Sequence, residues 1–347
     1  MNSRERMCKV LNHELPDRLP TWEYAIDKVV YEKICPGGTY ADVVELLDLD
    51  AIAAFEPSCG GYVPGLLDHM KDGETFHDEW NVKRQFCGEM LAYPLEVDVP
   101  IKNETDVKNY IPPDPNKESR YDVLRQNVKR FSGEKLIVYT FLGIWELSKC
   151  LMGIQEFLAA FKERPVLVKK VFEMTTDWII EVVKNATDKG ADMVMVADDL
   201  GHKTGLFGPP ELMRELYIPC LQRIVEAIKK RRAYVLFHSH GNVWKILDML
   251  IDTGIDVLHP MAYEDQMDIS IVKKIFGNKV VVAGNIATGA LISKSRDEVI
   301  KLVKETISNT SAGGGHIMMA SSSLYSGINP DNYRAMVETV HEYGKYR

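Results

Sequence analysis

The sequence holds little of what marks the specialised protein classes. Its six cysteines, at 8, 35, 59, 87, 150 and 220, include no CxxC or CxC pair, so neither a disulfide framework nor a cysteine zinc cluster is signalled. Most are expected to serve as small buried apolar residues. Basic residues never run longer than KKRR at 229–232, and that run closes a predicted helix, where cations suit the C-terminal dipole. With a formal net charge of −8 and a pI near 5.7, the chain carries no nucleic-acid footprint. No apolar stretch approaches the ~20 residues that span a bilayer. The opening MNSRERMCKVLNHELPDRLP lacks the apolar centre of a signal peptide, so a cytoplasmic protein with no membrane partner is expected. A linker rich in Pro, Gly or Ser and a repeat of fixed period are also missing.

What is present is a large globular core. Of 347 residues, 46% are hydrophobic and 27% charged, the balance of an ordinary folded protein. Short β-branched runs recur at 51–57, 135–141, 192–199, 233–239, 255–260, 279–285 and 316–322. Their near-continuous hydrophobicity suits strands buried on both faces, which means a parallel sheet covered by helices. Helical spacing predicts helices over 155–173, 178–189, 210–230, 243–253, 268–276 and 295–309. The rhythm is βα repeated, and an eighth strand from LAYPLEVDV, within 84–110, would close a (β/α)₈ TIM-type barrel. The alternative, an open doubly wound sheet, lacks a GxGxxG turn after its first strand. We expect one barrel domain over 1–347, with residues 1–50 as a helical cap.

In such barrels the chemistry sits at the C-terminal strand ends. Those ends carry Glu146, the Asp198-Asp199 pair, His202, His238, His240, His259, Asn285, and Ser321 to Ser323 with Tyr325. Four of the nine histidines gather there. Alternation along a strand projects His238 and His240 to one side if the strand runs through His240, so the two imidazoles form a candidate metal chelate. The plainer reading makes one of them a hydrogen-bond partner or helix cap. Of Asp198 and Asp199 only one can face the barrel, where an apolar mouth gives a carboxylate the perturbed pKa of an acid or base; the other caps a turn. Gly313 to Gly315 precede a strand, the wrong place for a phosphate cradle, and read as a tight turn. Trp22, Tyr24, Trp80 and Tyr325 are candidates to line an apolar pocket, or else ordinary core.

Taken together, FHSHGNVWKILDMLIDTGIDVLHPM, VVVAGNIAT, GGGHIMMASSSLYSGINPDNY, VMVADDLG and RERMCKVLNHELPDRLPTW resemble the uroporphyrinogen decarboxylase superfamily over nearly the whole chain. That resemblance implies a (β/α)₈ barrel, a homodimer, and one of two chemistries: cofactor-free decarboxylation of porphyrinogen acetates, or zinc-dependent methyl transfer involving a corrinoid. The decarboxylases carry an arginine-rich segment near the N-terminus, and here that region reads LPTWEYAIDKVV, without arginine. The methyltransferase branch, which the chain resembles more closely, including its DEWNV block at 78–82, holds zinc through a His-x-Cys pair and a distant Cys. His238 matches the first ligand, but His240 and Ser322 stand where the two thiolates would be. A zinc here would need His238, His240 and a carboxylate such as Asp199, Glu146 or Glu23.

The expected function is therefore methyl transfer between a small methylated substrate or thiol and a corrinoid, on a partner protein. His238 and His240 would bind metal or substrate, with Asp199 and Glu146 as further catalytic groups. Trp22, Tyr24, Trp80, His202, His259, Asn285, Ser322 and Tyr325 would shape the substrate site. The alternatives are decarboxylation of a carboxylic acid, and a non-catalytic subunit that binds a corrinoid or tetrapyrrole.

Overall fold

The computed structural model describes residues 1–57, 70–87 and 94–346. Seven parallel strands form the main sheet in sequential order: β1 (Ala51–Phe55), β2 (Leu136–Leu142), β3 (Met193–Ala197), β4 (Tyr234–His238), β5 (Val257–His259), β6 (Val281–Ala283) and β7 (His316–Ile317). Residues on both faces of these strands are buried, as the sequence pattern requires. The sheet curls into a TIM-barrel-like wall with helices outside it. Among the described residues, no helix is long and apolar enough to cross a membrane.

The eighth wall position is filled by residues 20–26, not by 84–110. The Met318 amide donates to the Pro20 carbonyl, and the Asp50 amide donates to the Thr21 carbonyl. Parallel bridges join Thr21 to Met318 and Ile26 to Leu324. The segment thus lies between β7 and β1 and makes the seam of the barrel. Leu95–Asp98 does form a strand, but in a separate antiparallel sheet with Thr75–His77 and Lys83–Gln85. Leu91, Ala92 and Tyr93 lie outside the described residues. The strand is half polar and exposed on one side, which a wall buried on both faces would not tolerate.

Asp50 fastens the seam from beneath. It is fully buried and accepts from Arg6 at 2.6 Å, from Arg18 at 2.8 Å and from the Thr21 amide at 2.8 Å. The first 50 residues hold helices Ser3–Leu11, Lys28–Ile34 and Tyr40–Leu46, with the seam segment running between the first two.

One helix boundary departs from the periodic reading. The break lies at Arg164, and a single helix runs from Pro165 to Asp188. Proline cannot continue the preceding helix but suits the first turn of the next. At the expected break, Thr175 and Thr176 are buried, and the Thr175 hydroxyl bonds back to the Val171 carbonyl within the helix. The three glycines at 313–315 all have positive φ and turn the chain into β7.

Candidate active site

His238 is the last residue of β4 and His259 the last of β5, and the parallel register sets them abreast. Their Nδ1 atoms lie 2.7 Å apart, so one nitrogen donates and the other accepts. The Nε2 of His259 lies 3.1 Å from the Ala320 carbonyl, which can only accept, so that nitrogen carries a proton. Burial pushes the pKa of both imidazoles well below the ordinary range, and each is lowered further by a neighbouring histidine; both are neutral. A neutral imidazole has one N–H. The Nδ1 of His259 is therefore the acceptor, that of His238 the donor, and the lone pair on His238 Nε2 is left for other work. It faces Asp199 Oδ1 at 3.6 Å.

His238 opens on a cavity of about 450 Å³ at the C-terminal end of the sheet, within the range of small-molecule sites. Tyr24 from the seam, Phe55 from β1 and Thr140 from β2 line it, and the antiparallel sheet adds Arg84, Leu95 and Glu96. The Tyr24 ring packs edge-on against both histidines at 5.6 and 5.8 Å. Its hydroxyl is held by Ser322 and Ser323, while burial raises its pKa to about 12.

Glu146 enters the cavity from the first turn of helix Ile144–Met152. That helix begins at Gly143, which has no side chain to cap it. Asp198 supplies the cap instead, accepting the Glu146 amide at 2.8 Å. A Cβ on Gly143 would fall 2.3 Å from the Asp198 carboxylate, so the close approach needs glycine. Asp198 also accepts from the Tyr217 hydroxyl at 2.6 Å. Complete burial raises its pKa to about 8, against the opposing effect of these hydrogen bonds. Burial likewise raises Glu146 to about 7; the paired Lys149, at 2.5 Å, opposes the shift and the charge of Asp199 adds to it. A carboxyl at that value can give or take a proton near neutrality.

The structure sorts the remaining candidates. β4 ends at His238, so His240 lies beyond the strand and the expected two-imidazole chelate is not formed by strand geometry. The rings are 5.1 Å apart, but the His240 amide donates to Asp199 at 2.9 Å and its ring turns to Asp265 at 3.3 Å. Burial opposes protonation of His240, yet the Asp265 hydrogen bond and the Asp199 charge leave its pKa raised. Of the four aromatics, only Tyr24 lines the cavity. Trp22 is core, and Trp80 packs on Trp178 at 4.6 Å. Tyr325 packs beside Gly327. His202 is exposed on a two-residue ribbon strand and contacts Thr204. Asn285 donates to the Met261 carbonyl. Glu23 is buried, accepts the Ala320 amide, and has its pKa raised well above the carboxylate range by burial.

The donors present decide whether zinc fits. His238 Nε2 and Asp199 Oδ1 make two, and a catalytic zinc needs three protein ligands. Among the described residues no group of three or more His, Cys, Asp or Glu could hold a metal ion. The described residues do not make a zinc site, and no step below passes through one.

Sequence reasoning missed Lys149, Tyr217, Thr140, Arg84 and Glu96. Lys149 was within reach, three residues after Glu146 on one helical face. The others depend on tertiary contacts.

The sequence profile described as "Uroporphyrinogen decarboxylase (URO-D)" matches residues 93–343. The chain belongs to the uroporphyrinogen decarboxylase family. Within the family, the uroporphyrinogen decarboxylase of Psychromonas ingrahamii is 25% identical over 259 residues, 70% of each chain. That of Aromatoleum aromaticum is 24% identical over 261 residues, 71% of this chain and 70% of its own. Among solved structures, a methyltransferase from Methanosarcina mazei superposes with a TM-score of 0.75 over 99% of both chains at 16% identity. A B12-independent methionine synthase from Shewanella reaches 0.52 over 86% of this chain and 82% of its own at 12% identity. At these identities the structural likenesses establish the family's TIM-barrel-like fold alone.

Proposed function

We propose that this family member is a methyltransferase, taking a methyl group from a small neutral or cationic methylated compound and passing it to a corrinoid carried by a partner protein. The observation that carries the reading is the charge of the cavity. Four acidic side chains line it, Glu56, Glu96, Glu146 and Asp199, against two cations, Arg84 and Lys149, with Glu56 paired to the buried Arg120 behind it. Both cations are already engaged: Arg84 with Asp78 at 2.6 Å and Glu96 at 3.8 Å, Lys149 with Glu146. A multiply anionic tetrapyrrole needs Arg or Lys groups to clamp its acid side chains, and the seam segment brings Tyr24 to the cavity instead. The full-length likeness in fold to the M. mazei methyltransferase supports the same reading.

In this scheme Asp199 and His238 Nε2 hold the polar end of the methyl donor, and Tyr24 and Phe55 wall its apolar side. When the methyl group leaves, the electron pair of the broken bond stays on the departing oxygen or nitrogen. That atom takes a proton from Glu146, and Lys149 stabilises the carboxylate so formed. The test is anaerobic incubation with reduced corrinoid and a panel of ¹³C-methyl ethers and amines, followed by NMR. Label on the corrinoid is expected from at least one donor; its absence across the panel would overturn the proposal.

Decarboxylation is the second reading, favoured by the names of the curated relatives. Glu146 would then protonate the carbon that loses carboxylate. Conversion of uroporphyrinogen to coproporphyrinogen would establish it.

A further inference from the structure

Two hydrogen-bond acceptors face each other across the floor of the cavity with no donor between them. The hydrogen-bond chain Ala320–His259–His238 leaves only a lone pair on His238 Nε2, and Asp199 Oδ1 stands 3.6 Å away. His238 is 6% exposed, and the one hydrogen bond of its ring is made through Nδ1. A second polar group lies on the same cavity: the Thr140 hydroxyl is buried and has no partner among the described residues. A buried acceptor left unpaired is costly, so the lone pair of His238 Nε2 is built for a ligand that brings a donor, and Asp199 Oδ1, which already accepts the His240 amide at 2.9 Å, has a lone pair left to share it.

The surroundings select the donor's charge. Among the described residues around the cavity, Glu56 is paired with the buried Arg120, Glu146 with Lys149, and Arg84 is shared between Asp78 and Glu96, which leaves Asp199 as a carboxylate without a Lys or Arg partner. An ether oxygen has no proton to offer the two acceptors, and an anion would meet Asp199 directly. Tyr24 and Phe55, their rings 6.4 Å apart, line the same cavity, and aromatic rings favour N-methyl groups on a cationic nitrogen.

We infer that the methyl donor is a protonated N-methylated amine whose N–H is shared between His238 Nε2 and Asp199 Oδ1. The inference rests on the methyl-transfer reading. In the reaction the C–N bond breaks, its electron pair stays on nitrogen, the methyl group passes to the corrinoid, and the neutral amine takes a proton from Glu146.

The experiment is isothermal titration of the full chain, without any methyl acceptor, at fixed ionic strength and pH 7. The probes are 2-(dimethylamino)ethanol, protonated at that pH, and its uncharged carbon isostere 3-methylbutan-1-ol. The ammonium should bind at least about tenfold more tightly, as expected for a hydrogen bond between charged groups, and Asp199→Asn should abolish the preference. On the wild type alone, added salt should weaken the ammonium and leave the alcohol unchanged, which keeps the test decisive if the variant does not fold. Equal or tighter binding of the alcohol, or a preference that survives in Asp199→Asn, would overturn the inference. Ammonium binding with no methyl transfer from any donor defeats the methyltransferase reading alone; methyl transfer from ethers without ammonium preference defeats this one alone.

Discussion

His238 and His259 share one proton across 2.7 Å, and the direction of that hydrogen bond sets which nitrogen of His238 meets the cavity. His259 touches no cavity surface; its effect is exerted through its neighbour.

His259 is thus a positioning residue. His259→Leu removes the acceptor that fixes the His238 tautomer, and kcat/KM should fall about 10–100-fold, the scale seen when partners that orient a histidine are removed. In ¹⁵N NMR, wild-type His238 should show a protonated Nδ1 and a bare Nε2, a signature lost in His259→Leu. His259→Gln, whose carbonyl can accept from His238, should restore much of both. An unchanged ¹⁵N pattern in His259→Leu would show that the tautomer is set elsewhere.

In the proposed mechanism Glu146 carries the proton. With its carboxyl at about 7, the protonated form is lost as pH rises through neutrality, so kcat should decline above about pH 7. Glu146→Gln should lower kcat by about 10²–10⁴, change KM little, and flatten that limb of the profile. A pH profile identical to wild type in the variant would assign the titration to another group.

Asp198 makes stability depend on pH. Its folded pKa, about 8, lies above the ordinary 3.8, so between those values the folded state keeps a proton that the unfolded chain has lost. Stability contributed this way is complete below about pH 4 and declines as pH rises towards 8. Asp198→Asn keeps an acceptor for the Glu146 amide and removes the titration. Its melting temperature should fall less than that of wild type between pH 5 and 8, with each kcal/mol appearing as roughly 2–4 °C.

The seam depends on Asp50. Arg6 and Arg18 are about nine-tenths buried, and both turn to this carboxylate. Asp50→Ala leaves two buried guanidiniums short of their shared counter-charge and frees the Thr21 amide. The expected loss is about 3–5 kcal/mol, read as a lower denaturant midpoint. Lys102→Ala, which breaks the exposed ion pair with Asp98, should leave the denaturant midpoint essentially unchanged.

The seven sheet strands were legible because burial on both faces writes a continuous apolar run into each of them. The seam was not. PTWEYAI opens with proline, carries a buried glutamate, and joins its neighbours through isolated bridges instead of a regular ladder, so no strand pattern marks it. LAYPLEVDV is a strand candidate in a poorly legible region, and its Leu95 and Val97 are exposed in the structure, unlike the residues of the barrel wall.

The gathering of histidines at strand ends was visible, but the reach from His238 to His259 was obscured by the more conspicuous His-x-His spelling. Aligning the ends of adjacent parallel strands, VLFH and DVLH, would have set the two residues abreast. The role of Asp198 as a cap for a helix 52 residues earlier in the chain needed the register of β2 against β3, which local sequence does not encode.

The most direct test of the account is a paired anaerobic turnover assay in which one preparation meets reduced corrinoid with methylated amines and, separately, uroporphyrinogen. The account predicts a methylated corrinoid, dependent on Glu146, and unchanged uroporphyrinogen. Coproporphyrinogen as the product, with the corrinoid left unmethylated, would contradict it.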